Sequence, residues 1–183
     1  MILVEITPQT HQVIVDVKYA SADNFTGKPA YKRAALFLHP DAEQHLRAAV
    51  RIADGIGLKL KLFDGFRPTE VQEAFWAHTP DPHFLAPPDK GSPHSRGVAI
   101  DLTLCRADGS ELDMGTAFDA FTPLSHHGRT DVNAEAQRNR ILLMGIMTAA
   151  GWDFYRNEWW HYQLFGSRSY ALLSDKQAGT NLL

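Results

Sequence analysis

Hydrophobic and polar positions alternate in three stretches of the chain and recur at helical spacing in three others. Val13, Val15, Val17 and Tyr19 alternate with Ile14, Asp16 and Lys18, the period of a half-buried strand. Leu58, Leu60 and Leu62 alternate with Lys59 and Lys61, and Val98, Ile100, Leu102 and Leu104 with Ala99, Asp101 and Thr103. These stretches predict two more strands, the last with one polar-leaning face. The short apolar run 35–39 is a further strand or the approach to the first helix. That helix is expected to start at Asp41, with Gln44 completing a capping box, to bury Leu46, Ala49, Val50, Ala53 and Ile56, and to end at Gly55 and Gly57. Pro68 suits the first turn of a second helix running through Ala77. A third begins at Asp131 or Asn133, carries Ile141, Leu142, Met144 and Met147, and stops at Gly151. Trp152 to Leu164 reads as two short strands joined near Arg156 and Asn157, and residues 79–91 as a proline-rich loop of the length that often closes over a site. Strands scattered among helices without regular β-α-β alternation predict an α+β fold, with helices around a central, mainly antiparallel sheet.

Composition narrows the function. The 183 residues are 44% hydrophobic and 21% charged, which fits one globular domain spanning 1–183. The formal net charge of −3 offers no basic field for a phosphate backbone, so no nucleic-acid partner is expected. The longest apolar run, Ile141 to Ala150, is about half the ~18 residues needed to span a bilayer. It reads as a buried helix, with no membrane partner. Cys105 stands alone and reads as a buried, inert thiol. The stretch Met1-Ile2-Leu3-Val4-Glu5 lacks the basic and apolar regions of a secretion signal, so a cytoplasmic location is expected. Oligomeric state is not readable.

Two of the histidine-bearing segments stand in unusual company. In Ser92-Pro93-His94-Ser95-Arg96-Gly97-Val98-Ala99-Ile100-Asp101, Asp101 projects from the strand face opposite Ile100 and Leu102. A carboxylate there needs water, a cation or a metal. Gly97 would let the chain bend His94 toward it. In Glu158-Trp159-Trp160-His161, Glu158 and His161 converge only if the chain bends or makes a helical turn. Two histidines and a carboxylate make a three-ligand zinc site with an open position, and a nearby glutamate is the usual general base. The same ligand types also serve iron(II) oxygenases, whose usual first pair is more closely spaced than His94 and Asp101. His126 and His127 read as a solvated loop pair, and one tryptophan of Trp159–Trp160 is expected in the core and the other on a pocket wall.

The paired motifs Ser92-x-His94-x-x-Gly97-x-Ala99-x-Asp101 and Glu158-x-Trp160-His161 resemble those of the zinc D-Ala-D-Ala dipeptidases of the VanX type, relatives of the D-Ala-D-Ala carboxypeptidases and hedgehog-like zinc domains. The likeness runs over roughly residues 11–165. It includes Asp64-Gly65-Phe66-Arg67-Pro68, Asp113-Met114-Gly115, Ser125-His126-His127 and Gln137-Arg138-Asn139-Arg140. The resemblance implies one Zn²⁺ per chain on His94, Asp101 and His161, with Glu158 as base and Arg67 stabilising the oxyanion. Tyr19, Ser92 and Asp119 would line the pocket for a small dipeptide, Asp119 facing the substrate ammonium. Without the resemblance, Arg67 has the plainer reading of a surface residue paired with Asp64. The expected activity is hydrolysis of D-Ala-D-Ala, in catabolism or in glycopeptide resistance. A carboxypeptidase or endopeptidase on longer wall peptides, or a hedgehog-like binding module without activity, are the alternatives.

Overall fold

The computed structural model describes residues 3–183; Met1 and Ile2, the start of the amino-terminal stretch read above, lie outside the described residues. Two sheets and two long helices form the frame. β1 (Val4–Ile6) and β3 (Leu36–Leu38) pair as an antiparallel ribbon. The main sheet has the order β2-β4-β5-β7-β6, formed by Ile14–Val15, Lys59–Asp64, Ala99–Cys105, His161–Leu164 and Trp152–Phe154. Its β2–β4 pair is parallel and the remaining pairs are antiparallel, so the α+β reading with a mainly antiparallel sheet describes the fold. Helices α2 (Pro40–Asp54) and α4 (Ala134–Ala149) pack on each other and on strands of this sheet. The short α1 (Pro8–His11) and α5 (Asp175–Ala178) flank them, and α3 (Thr69–His78) follows β4.

Several expectations are corrected. The alternation from Val13 to Tyr19 yields a strand only at Ile14–Val15; Lys18–Ala20 coils into a 3-10 turn closed by Ala20 N–H to Val17 O (3.1 Å) and Ser21 N–H to Lys18 O (3.1 Å). The turn tucks the Tyr19 ring against Tyr31 and Phe75, a tertiary preference that local periodicity does not carry. Helix α2 begins one residue early, at Pro40. His39 is its cap, Nδ1 accepting from Asp41 N–H at 3.1 Å, while the Asp41 carboxylate accepts from the Tyr170 hydroxyl at 2.8 Å. Helix α4 starts after Asn133, whose Oδ1 accepts from Ala136 N–H at 2.8 Å. It is not buried through its apolar run: Ile141 is 64% and Leu142 37% exposed, and the buried row is Ala136, Arg140, Leu143, Ile146 and Met147.

β5 is the centre of the molecule, buried along its whole length. Its polar-leaning face is therefore not a solvent face; it is covered by the site. Asp101 lies opposite His161 across the β5–β7 register, and directly opposed residues share a face. On the other side, β4 carries an extra residue. Leu62 pairs with Leu102, but Asp64 pairs with Asp101, leaving Phe63 as a bulge. Without it Asp64 would face the opposite way. The bulge brings Asp64 beside Asp101.

Candidate active site

Each functional side chain reaches the sheet face by a separate local device. His94 opens a 3-10 turn (His94–Arg96) ended by Gly97 at φ +69°. A Cβ at Gly97 would stand 3.2 Å from the His39 backbone nitrogen, so both the left-handed backbone and the close approach call for glycine. Ser92 Oγ accepts the His94 N–H at 3.2 Å and fixes the turn. Glu158 lies between two tight turns just before β7, the bend that convergence with His161 requires.

His94, Asp101 and His161 are 2%, 2% and 7% exposed. Their facing atoms form a small triangle: His94 Nε2 to His161 Nδ1 3.0 Å, His161 Nδ1 to Asp101 Oδ1 3.1 Å, and His94 Nε2 to Asp101 Oδ1 3.3 Å. The outer nitrogens fix the tautomers. His94 Nδ1–H donates to Gly65 O at 2.7 Å, and His161 Nε2–H donates to Gln163 Oε1 at 3.2 Å. Both inner nitrogens then present lone pairs, and with the carboxylate three lone pairs meet without a proton between them. A cation satisfies that arrangement. Tetrahedral zinc with bonds of about 2.0–2.1 Å has ligands roughly 3.3 Å apart, and hydrogen bonds from the outer nitrogens to a carbonyl and an amide are those that orient zinc-bound imidazoles. The donor set fits one zinc ion. Burial raises the Asp101 carboxyl, but a proton carried by the His94 or His161 imidazole in place of the metal outweighs it and holds the group well below the usual carboxylate range.

Around the triangle stand the other charges. Glu158 Oε2 is 3.9 Å from His161 Nδ1. Burial first, then the Asp101 and Asp119 carboxylates, push its carboxyl well above the ordinary range, against the opposing pull of Arg67. Arg67 is buried, not superficial, yet it does pair with Asp64: Nη2 and Nε lie 2.9 and 3.0 Å from Asp64 Oδ2. Its Nη1 donates to Gln72 Oε1 at 3.0 Å, its Nη2 is 3.5 Å from Asp101 Oδ2, and its guanidinium lies 5.0 Å from the Tyr19 ring centroid. The Tyr31 hydroxyl donates to Asp64 Oδ1 at 2.9 Å, so every group steering Arg67 is itself held.

Asp119 adopts φ +58°, a backbone that costs strain for a non-glycine residue and that Asp and Asn tolerate best. Tyr19 donates to its Oδ1 at 3.1 Å, whereas Oδ2 is sealed from solvent without a partner. The residue as a whole is partly covered; its carboxylate is not hydrated. Burial, reinforced by Asp101, pushes its pKa up to about 8. An unpaired, sealed carboxylate oxygen is a place for a cationic group.

All eight residues singled out from the sequence line one cavity of about 210 Å³. Trp160 is on its wall, while Trp159 turns into the core and donates through Nε1 to Thr116 Oγ1 at 2.8 Å. The proline-rich loop forms one side of the cavity. Its His83 carbonyl accepts from the Tyr155 hydroxyl (2.9 Å) and Asn157 Nδ2 (3.1 Å), its Ala86 carbonyl from Gln72 Nε2 (2.9 Å), and Phe84 stacks on Phe121 at 4.9 Å. Gln72, Tyr155 and Gln163 are cavity residues that sequence reasoning did not single out. Gln163 had a signal, since it lies two residues beyond His161 on the same strand face. His127 is not a solvated loop residue: it packs on Phe154 at 4.9 Å, and burial lowers its pKa to about 4. Cys105 is buried, its thiol pushed up to about 11 by that burial, as an inert thiol should be.

Comparison with known proteins covers the stretch of chain that supplies these residues. A profile described as D-Ala-D-Ala dipeptidase matches residues 2–177. The D-alanyl-D-alanine dipeptidase of Escherichia coli (strain K12) is 44% identical over 162 residues, covering 88% of this chain and 84% of that protein. The Enterococcus faecium D-alanyl-D-alanine dipeptidase is 37% identical over 175 residues, covering 84% and 87%. Among solved structures, the Serratia marcescens L-Ala D-Glu endopeptidase ChiX is similar at a TM-score of 0.47 and 14% identity, over 90% of this chain and 100% of that one. With the family profile running through every strand and turn that supplies the site, the chain belongs to the D-Ala-D-Ala dipeptidase family of metallopeptidases.

Proposed function

We propose that the chain hydrolyses the free dipeptide D-Ala-D-Ala to two molecules of D-alanine, with one zinc ion on His94, Asp101 and His161. The observation that carries this reading is the meeting of three lone pairs in a walled cavity next to the buried carboxylate of Glu158. Zinc bound there supplies Lewis acidity toward the scissile carbonyl and lowers the pKa of a nearby water. The chain's own groups do the rest. Glu158 accepts the proton of the attacking water as its oxygen bonds to the carbonyl carbon, then hands that proton to the amide nitrogen as the C–N bond breaks. Arg67 presents a fixed N–H array to the developing oxyanion. Asp119 Oδ2 receives the substrate ammonium, and Tyr19 holds Asp119 through Oδ1. Ser92 Oγ already accepts the His94 N–H, which leaves its hydroxyl proton for the substrate.

The loop wall supports a short substrate over a longer wall peptide, since Pro82, Phe84, Leu85 and Ala86 narrow one side of a cavity of about 210 Å³. Glu158 and Arg67 speak against a binding module, since zinc held for structure alone needs neither. A cytoplasmic location belongs to the same reading: the lone thiol forms no disulfide, so the fold needs no oxidising compartment, and among the described residues no helix is long and apolar enough to cross a membrane.

The deciding experiment is D-alanine release from D-Ala-D-Ala by the zinc-loaded protein, with a chelated sample alongside. Release should vanish on chelation and return with one zinc per chain. Absence of release from a sample with zinc confirmed at that ratio would overturn the reading.

Asp119 gives a second expectation, in which stability and function move in opposite directions. Its folded pKa of about 8 lies above the unfolded value of about 3.9. The stabilising contribution of the protonated group is therefore fully present below about pH 4 and is lost as pH rises through about 8. Asp119→Asn keeps the shape, tolerates the positive φ and does not titrate. The metal-free variant should melt above the parent by a margin that widens from pH 5 to pH 8, reaching several degrees, while KM for the dipeptide rises at least tenfold. A constant margin in melting scans across that range would remove Asp119 as a buried titrating group.

A further inference from the structure

Arg140 has no place in the chemistry above, yet it is the most unusual buried charge outside the cavity. It lies on the inward row of α4 and is 4% exposed. Its hydrogen-bond partners are neutral. Nε donates to Met114 O at 2.7 Å, Nη1 to Leu124 O at 2.8 Å and His126 O at 3.2 Å, and Nη2 reaches Thr116 Oγ1 at 3.4 Å. Burying a guanidinium among carbonyls is costly, and an apolar side chain would fill a helix-facing position without that cost. What the cation gains is reach. Five donors in a planar fork hold carbonyls on both sides of one loop.

That loop, residues 114–127, meets Arg140 at Met114 and again at Leu124 and His126, so Arg140 ties its neck. Its apex carries Asp119 into the cavity. Its returning limb holds the turn that carries Glu158: Ser125 O accepts the Trp159 N–H at 3.0 Å, and His127 N–H donates to Arg156 O at 2.9 Å. The neck residue Thr116 adds the bond from the Trp159 indole. None of these bonds reaches β5 or β7, which carry Asp101 and His161. The carboxylate for the substrate ammonium and the carboxylate for the proton thus share one loop tied at its neck by a single guanidinium, while the Glu158 turn is also fastened to the strands by Leu102 N–H to Trp160 O (3.1 Å) and Tyr155 N–H to His161 O (3.3 Å).

We propose that Arg140 is a positioning residue that sets Asp119 and Glu158 in register with each other through the loop they share. This rests on the roles given to those two carboxylates above. A displacement of about 1 Å in such groups costs on the order of 100-fold in rate.

The test compares Arg140→Met, which keeps the bulk, with Arg140→Lys, which keeps the charge on a point donor too compact to span the neck. Zinc content, kcat and KM are measured well below each melting temperature, together with amide hydrogen exchange. The methionine variant should keep one zinc per chain, lose about 10- to 100-fold in kcat and gain several-fold in KM, and the lysine variant should recover part of both. Peptides from 114–127 and 155–160 should lose protection together while those from β5 and β7 keep theirs. Exchange loosened in 114–127 alone, or loosened throughout the sheet, would overturn the proposal, as would parental kinetics in zinc-loaded Arg140→Met. Should the methionine variant not fold, the same pattern in Arg140→Lys decides. A parent that releases no D-alanine would refute the activity, while the exchange comparison would still decide whether Arg140 couples the two segments.

Discussion

Alanine at position 158 is expected to leave zinc bound and to lower turnover of D-Ala-D-Ala by about two to four orders of magnitude, the usual worth of a positioned general base. Glu158 lies outside the triangle of donor atoms, 3.9 Å from His161 Nδ1, so metal content by elemental analysis should stay at one per chain. The loss should fall on kcat, because the proton moves only as bonds change. Glu158→Gln should behave like Glu158→Ala, since it keeps the shape and hydrogen bonding but has no base. Both variants should fold at least as well as the parent, for each removes a carboxylate that burial and two neighbouring acids make costly to ionise. Turnover within tenfold of the parent in either variant would take Glu158 out of the mechanism.

Asp101→Ala should fail differently. Its carboxylate is one corner of the triangle and the only negative charge in it, and it also lies 3.5 Å from Arg67 Nη2. Even removal of groups that merely orient metal ligands costs about 10- to 100-fold in affinity, so removal of a ligand should cost about 100-fold or more. Zinc should be lost on dialysis, and activity with it. Asp101→Asn should follow closely, because an amide fills the space but contributes no charge. Tight, stoichiometric zinc in dialysed Asp101→Ala would refute the ligand assignment. The two variants thus separate the metal from the base by the same pair of measurements, metal content and turnover.

The site was legible in the sequence to the extent that it depends on close spacing. His94, Gly97 and Asp101 lie within one turn and strand, and Glu158 and His161 within one bend and strand, so local geometry alone nearly brings each pair to a common face. The strands at 59–64 and 99–105 were legible because period two persists through them. What escaped was set by contacts distant in sequence. The strand expected over 13–19 shrinks because Tyr19 is drawn into an aromatic cluster with Tyr31 and Phe75. Helix α4 turns Arg140 inward and Ile141 outward because loop carbonyls, not apolar side chains, await it on that face. A hydrophobicity pattern assigns those two residues the other way round. The partners that steer the site, Tyr31 for Asp64 and Gln72 for Arg67, carry no motif, since a tyrosine or glutamine earns its role only from what the fold sets beside it.

The extra residue in β4 governs which length changes the gene can accept. Phe63 turns Asp64 to the face of Asp101, and Gly65 next to it offers its carbonyl to His94 while a Cβ there would stand 2.7 Å from Phe37 O. Deleting or inserting one codon between Leu62 and Gly65 would rotate Asp64 away from Arg67 and shift the carbonyl that sets the His94 tautomer. Natural insertions and deletions should therefore spare this stretch and gather in exposed connections such as the turn at 106–110, where the chain can lengthen without moving a single group of the site.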